Sequence, residues 1–338
     1  MKLSSPATAL YSFAGSVAIA GLVAATFAGA AYAQGGGHGV HVDGESLGRL
    51  EIAVGVVHGA ALGAAVFLAG VVTFVALVWL PSHEASGGGE WGALAFTRCL
   101  WALFALLAVT GVVEVSLYAV RASGEPFGFA LVGQAFYETR VGQTWLVRLG
   151  FALAATVAAT WASREGRAGL WWAAVAAGSV VLLTVTQLGH AATEGGVLPF
   201  AADWLHLGAA ALWMGGLLGF PLALIWPVRK LEATLKSELL GRAVRRFSRL
   251  ATGAVMVLVV TGIYAIWLQV PSADAVFNTP YGRALVMKLG LLVILLPAGL
   301  INMVDRGKEP FGRMVGVELL LALGIFAATG FLTSLPPP

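Results

Sequence analysis

The sequence predicts an all-α integral membrane protein, a bundle of about eight transmembrane helices, and three observations predict it. Of the 338 residues, 59% are hydrophobic and 11% charged, with a mean hydropathy of +0.86, far from the composition of a soluble domain. Apolar runs of about 20 residues, long enough to cross roughly 30 Å of hydrocarbon, follow one another with only short breaks. The runs are nearly continuous, as in 285–300, where barrel strands would alternate apolar with polar residues.

In chain order, 1–33 reads as a signal peptide: Lys2, a small-residue apolar run, then Ala31-Tyr32-Ala33, an A-x-A cleavage site ahead of Gln34. An uncleaved first span is the alternative, since the run is long for a signal sequence. Both readings leave Gln34 outside the cytoplasm. An outer tail, 34–51, then leads to spans at about 52–80, 93–121, 142–162, 169–190, 201–226, 247–270, 282–303 and 314–334.

With Gln34 outside, the inner connections and helix ends carry Arg98, Arg164, Arg167, Arg229, Lys230, Lys236, Arg242, Arg245, Arg246, Arg249, Arg306, Lys308 and Arg313. The outer connections carry only Arg49, Arg121, Arg140 and Arg283. Lys and Arg in short loops resist translocation, so this asymmetry supports an inner-membrane protein whose mature N-terminus and C-terminus both face the periplasm. The pI of about 9.2 is then a consequence of topology, and no nucleic-acid partner is expected. Arg242–Arg249 reads as a solvated inner loop end, with anionic lipid or nucleic acid as lesser alternatives.

The spans repeat. Phe96-Thr97-Arg98, Thr110-Gly111, Gly142 and Arg148 recur as Phe247-Ser248-Arg249, Thr261-Gly262, Gly282 and Lys288. Phe to Thr is 14 residues in both halves, and Gly to the basic residue is six in both. Extended outward, the match aligns His58 with His206 and Trp79 with Trp226, offset by one residue. The expected organisation is therefore a first four-helix repeat, 52–199, and a second, 200–338, as parallel repeats about a pseudo-two-fold along the membrane normal.

Asp203-Trp204-Leu205-His206 stands at the head of the fifth span. Ionisable side chains at membrane depth are costly and mark function by default. His58, His190 and His206 all lie near the outer ends of spans, and neutral imidazole suits Cu, Zn, Ni and Fe. Asp203 and His206, three apart, share a helix face, so the carboxylate is placed to ligate a metal or to orient the ring. A single buried His is often only a hydrogen-bonded structural residue, but the recurrence of His58 and His206 in the two halves favours function. His38 and His41, in the Gly-rich outer tail, and the soft donors Met214 and Met287 are accessory candidates; for each methionine, core packing is the plainer reading. Glu114, Arg148 and Lys288 form a set of structural intramembrane charges, with Glu114–Arg148 the expected ion pair. Cys99, the only cysteine, reads as packing. No Gly-rich phosphate loop and no nucleophile–base arrangement is present, so an enzyme is not expected.

These residues resemble the copper resistance protein D (CopD) family of bacterial inner-membrane proteins. Asp203-Trp204-Leu205-His206 leading to Trp213-x-Gly215-Gly216, Arg246-Phe247-Ser248, Thr261-Gly262, Thr279-Pro280-Tyr281-Gly282-Arg283 through Lys288, and the Glu318 span ending in three prolines carry the resemblance most specifically over 200–338. Gly189-His190-Ala191 also matches a common element of the family. The resemblance implies copper transport or uptake from the periplasm, a part in copper homeostasis or resistance, and a small periplasmic CopC-like copper-binding partner. On this reading His206, His58, His190 and Asp203 receive copper between the two repeats. A subunit that binds haem b through two histidines and transfers electrons is the alternative, and a protein that only delivers metal to a neighbour is a third.

Overall fold

In the computed structural model the described residues are 49–86, 93–189, 196–225, 231–304 and 311–335, and every regular element among them is helical. The expected signal segment, His38, His41 and His190 lie outside the described residues. The elements are α1 (Arg49–Phe74), α2 (Leu94–Ser123), α3 (Phe129–Glu138), α4 (Arg140–Glu165), α5 (Ala168–Thr186), α6 (Val197–Ile225), α7 (Ala233–Gln269), α8 (Ala273–Asn278), α9 (Pro280–Val304) and α10 (Phe311–Ser334). Helix α1 continues through a single π-helical stretch, Val75–Trp79, into a last turn, Leu80–Glu84. Among the described residues six helices are long and apolar enough to cross a membrane, and α10 carries a further apolar stretch, Val317–Thr333. The protein is a multi-pass membrane protein.

Two helices are interior. In α1, 89% of the most apolar window is buried, and in α6 67%, against 17% for α7, so α7 presents most of its surface outward and the core is built on the α1–α6 pair. Helix α1 packs on α2, α5, α6 and α10, and α6 on α1, α5, α7 and α10. Small residues make the central crossing possible: a Cβ on Gly70 would stand 2.9 Å from the Cα of Gly215. Without a hydrophobic driving force between helices in lipid, such close backbone approach supplies the association through van der Waals contact. Four residues further along, Phe74 fills the space that Gly219 leaves. The steady offset from Gly70–Gly215 to Phe74–Gly219 shows that α1 and α6 run parallel. Extended toward their N-termini, it places His58 level with Asp203 and within one turn of His206.

Beyond Gly70 the aromatic residues close the bundle. Phe74 lies 5.0 Å from Phe220, 6.3 Å from Phe96 and 6.4 Å from Phe247 between ring centroids. The recurring phenylalanines Phe96 and Phe247 thus converge on one side chain, in the offset and edge-on geometries that aromatic quadrupoles favour.

Two features depart from the sequence expectation. Helix α7 begins at Ala233, well before the expected span start at 247, because Leu239 and Ala243 bury one face of an amphipathic extension while its arginines stay at the surface. Short helices α3 and α8 also occupy connections that hydropathy left unassigned. Each ends in a threonine that caps the next helix: Thr139 Oγ1 accepts from Gly142 N at 3.1 Å, and Thr279 Oγ1 from Gly282 N at 3.0 Å. In both places a Cβ on the glycine would collide with carbonyls of the preceding short helix. The same turn chemistry is used twice, once in each half.

Candidate metal centre

His58, Glu114, Arg148, His206, Thr261 and Lys288 each stand eight or nine residues from the end of their helix. At 1.5 Å per residue this is a depth of roughly 12–14 Å below one end of the bundle. The six side chains form a polar layer within the apolar stretches of their helices.

In the first half, His58 Nδ1 on α1 lies 2.9 Å from Glu114 Oε1 on α2. Nδ1–H donating to the carboxylate oxygen leaves the Nε2 lone pair for another partner. This is the arrangement in which a carboxylate orients a metal-ligating imidazole and raises its basicity. The expected Glu114–Arg148 ion pair does not form. Arg148, buried on α4, donates from Nε to Thr184 Oγ1 at 3.0 Å and from Nη2 to Thr184 O at 2.8 Å, and its guanidinium stacks 4.1 Å above the Trp145 ring. Glu114 still acts on Arg148 through space. The reason is rotational: Glu114 turns toward α1, whereas Arg148 reaches the carbonyl of Thr184, near the end of α5.

In the second half, His206 Nδ1 on α6 lies 2.8 Å from Thr261 Oγ1 on α7. The Thr261 hydroxyl has one proton, and Val257 O, 2.6 Å away, takes it. The hydroxyl therefore accepts from His206 Nδ1–H, and Nε2 is again the nitrogen with a lone pair. Gly262 lies beside the ring: a Cβ there would meet His206 Cε1 at 3.8 Å, an ordinary van der Waals contact. Lys288 on α9 lies within electrostatic reach of both His206 and Asp203. A Cβ on Gly189 would lie 4.0 Å from Asp203 Oδ2, so this carboxylate sits beside the chain segment that runs into His190.

Among the described residues no three of His, Cys, Asp and Glu gather into a ligand set. What the fold brings to one level is His58, His206 and Asp203 on α1 and α6, with α5 packed on both helices and leading to His190. Met214 is buried in the core below His206, and Met287 is 59% exposed, on the outward side of α9. Cys99 is a buried free thiol.

Three holding residues escaped the sequence reading. Thr261 was visible only as a repeat marker, Thr184 carried no signal at all, and Glu114 was assigned to the wrong partner. The available clue was position: Glu114 follows Thr110, the counterpart of Thr261, by one helical turn, and so faces the same neighbouring helix.

Comparison with known proteins agrees with this architecture. A family described as copper resistance protein D-like, N-terminal domain, matches residues 49–200, and one described as copper resistance protein D matches 241–332. The chain is 27% identical over 291 residues to copper transport protein CutJ of Bacillus subtilis (strain 168), covering 83% of this chain and 53% of that protein. It is 29% identical over 229 residues to copper resistance protein D of Pseudomonas syringae pv. tomato, covering 66% of this chain and 73% of that one. The chain thus spans about half the length of CutJ. No solved structure shows a significant match. Two matched regions that together span most of the chain, both with helices in the polar layer, show that the protein belongs to the copper resistance protein D family.

Proposed function

We propose that this chain carries copper across the bacterial inner membrane from the periplasmic side, through a site formed by His58, His206, Asp203 and His190 between two parallel four-helix halves. One observation carries the reading. Both recurring histidines are held through Nδ1 by a residue of the neighbouring helix, and both keep Nε2 for a ligand, on two parallel helices at one level. Oriented neutral imidazoles are what copper coordination requires. Asp203 supplies negative charge that offsets Lys288, and His190 is assigned to the site from the sequence. The relatives named for copper transport and copper resistance support copper as the cargo.

In this reading the chain has eight spans, a cleaved leader and both mature termini in the periplasm, so that the polar layer faces the side where a CopC-like donor would deliver metal. The duplicated Thr–Gly turn before α4 and α9 and the central packing of α1 on α6 support the pseudo-two-fold. The test is copper uptake into proteoliposomes that contain this protein alone. Uptake by the wild type and none by His58→Ala/His206→Ala is the expected result. Equal uptake by both rules the site out, and no uptake by the wild type makes the protein a delivery partner instead.

A further inference from the structure

The end of the bundle opposite the polar layer holds a second feature. An open cleft of about 480 Å³ lies between the end of α1 and helix α7, and it is lined by Arg242, Arg245, Arg246 and Arg249 together with Ser82 and Ser248. Spacings of three, four and seven put the four guanidinium groups on one face of α7, within two turns.

Two of these arginines are anchored by α1. Arg242 Nη1 donates to Ala85 O at 2.7 Å, and Arg246 Nε donates to Leu77 O. Leu77 belongs to the π-helical stretch Val75–Trp79, where the regular hydrogen-bond ladder is interrupted. Ala85 closes the C-terminal end of the same helix, where carbonyls carry partial negative charge. Both contacts fix the arginines at the cleft. Arg242 also has Glu238 at 3.7 Å. Arg245 and Arg249 make no ion pair or hydrogen bond among the described residues, and both are exposed.

Four like charges on one short helix face repel unless an anion joins them, and the planar fork of arginine matches phosphate oxygens in pairs. A cleft of this volume accommodates a phosphodiester headgroup. No Asp, Glu, Lys or Arg occurs from Leu250 to Gln269, so Arg249 marks the boundary at which the apolar part of α7 begins. In a bilayer such a boundary between charged and apolar helix lies near the headgroups.

We propose that this cleft binds a phosphate group, that of an anionic phospholipid, through Arg245 and Arg249 with Arg242 and Arg246 held in place by α1. The inference does not depend on the copper site. The test is native mass spectrometry of the full chain in detergent, titrated with cardiolipin, phosphatidylglycerol or phosphatidylcholine. A parallel arm measures thermal stabilisation by inorganic phosphate and pyrophosphate. The wild type should retain the anionic lipids over phosphatidylcholine, and Arg245→Gln/Arg249→Gln should retain them on the order of tenfold less, in keeping with the usual contribution of surface arginines to anionic-lipid binding. Arg121→Gln, at the other end of the bundle, should bind as the wild type does. Stabilisation by the soluble phosphates alone, lost in the double variant, would uphold the phosphate site with a soluble ligand as its source. Equal behaviour of wild type and Arg245→Gln/Arg249→Gln toward every probe overturns the proposal.

Discussion

The two halves of the bundle hold a histidine at the same depth by different means. In the first half the His58 ring leans on a carboxylate, Glu114, whose charge also acts on Arg148. In the second, His206 leans on a neutral hydroxyl, Thr261, and the carboxylate comes instead from His206's own helix as Asp203, within reach of Lys288. Each half therefore assembles one imidazole, one carboxylate and one fixed cation, with the carboxylate moved from the neighbouring helix to the histidine's own. The consequence is chemical. A bond to a carboxylate, such as that of His58, is about twice as strong as a neutral one, such as that of His206 to Thr261. In the proposed copper site the two histidines are thus oriented by different partners, Glu114 for His58 and Thr261 for His206.

That difference can be broken at several levels. The largest effect is expected where the halves meet: Gly70→Leu has no room against Gly215, so membrane-extracted protein should fail to elute as a single folded species in size-exclusion chromatography. Next, His58→Ala with His206→Ala should abolish copper accumulation in cells while the protein remains in the membrane fraction, as read by immunoblot and elemental analysis. Glu114→Gln keeps the shape but removes the carboxylate, and should weaken copper binding by about 10–100-fold, the usual range for a carboxylate that orients a metal-ligating imidazole. Thr261→Val should weaken it less, because the lost bond is neutral; competition titration against a copper chelator measures both variants. Equal losses would mean that the halves do not differ as described. The smallest effect is assigned to Met287→Leu, whose outward position predicts unchanged copper binding in the same titration.

Much of the fold was legible because membrane spans announce themselves by length and apolarity, and depth follows from counting residues along a helix. The polar layer was foreseeable for that reason: His58, Glu114, Arg148, His206 and Lys288 all had assignable depths. Rotation about each helix axis was not legible. Near-uniform hydrophobicity leaves no polar face to orient a buried span, so composition does not choose between Arg148 and His58 as the partner of Glu114, and only its register with Thr110 points to α1. The same blindness hid Thr184, whose hydroxyl and carbonyl hold Arg148. The π-helical stretch in α1 was hidden for a different cause, since Val75–Trp79 differs in no compositional way from the α-helix before it.

The central claim, that His58 and His206 belong to one copper site shared by both halves, is tested most directly by copper stoichiometry with a visible spectrum on the purified protein and its two single variants. One copper per chain in the wild type, lost in His58→Ala and equally in His206→Ala, with no Soret band, is the predicted result. Two coppers in the wild type with one lost in each variant would make the halves separate sites, and a Soret band that either substitution removes would assign the histidines to haem; either outcome contradicts the account.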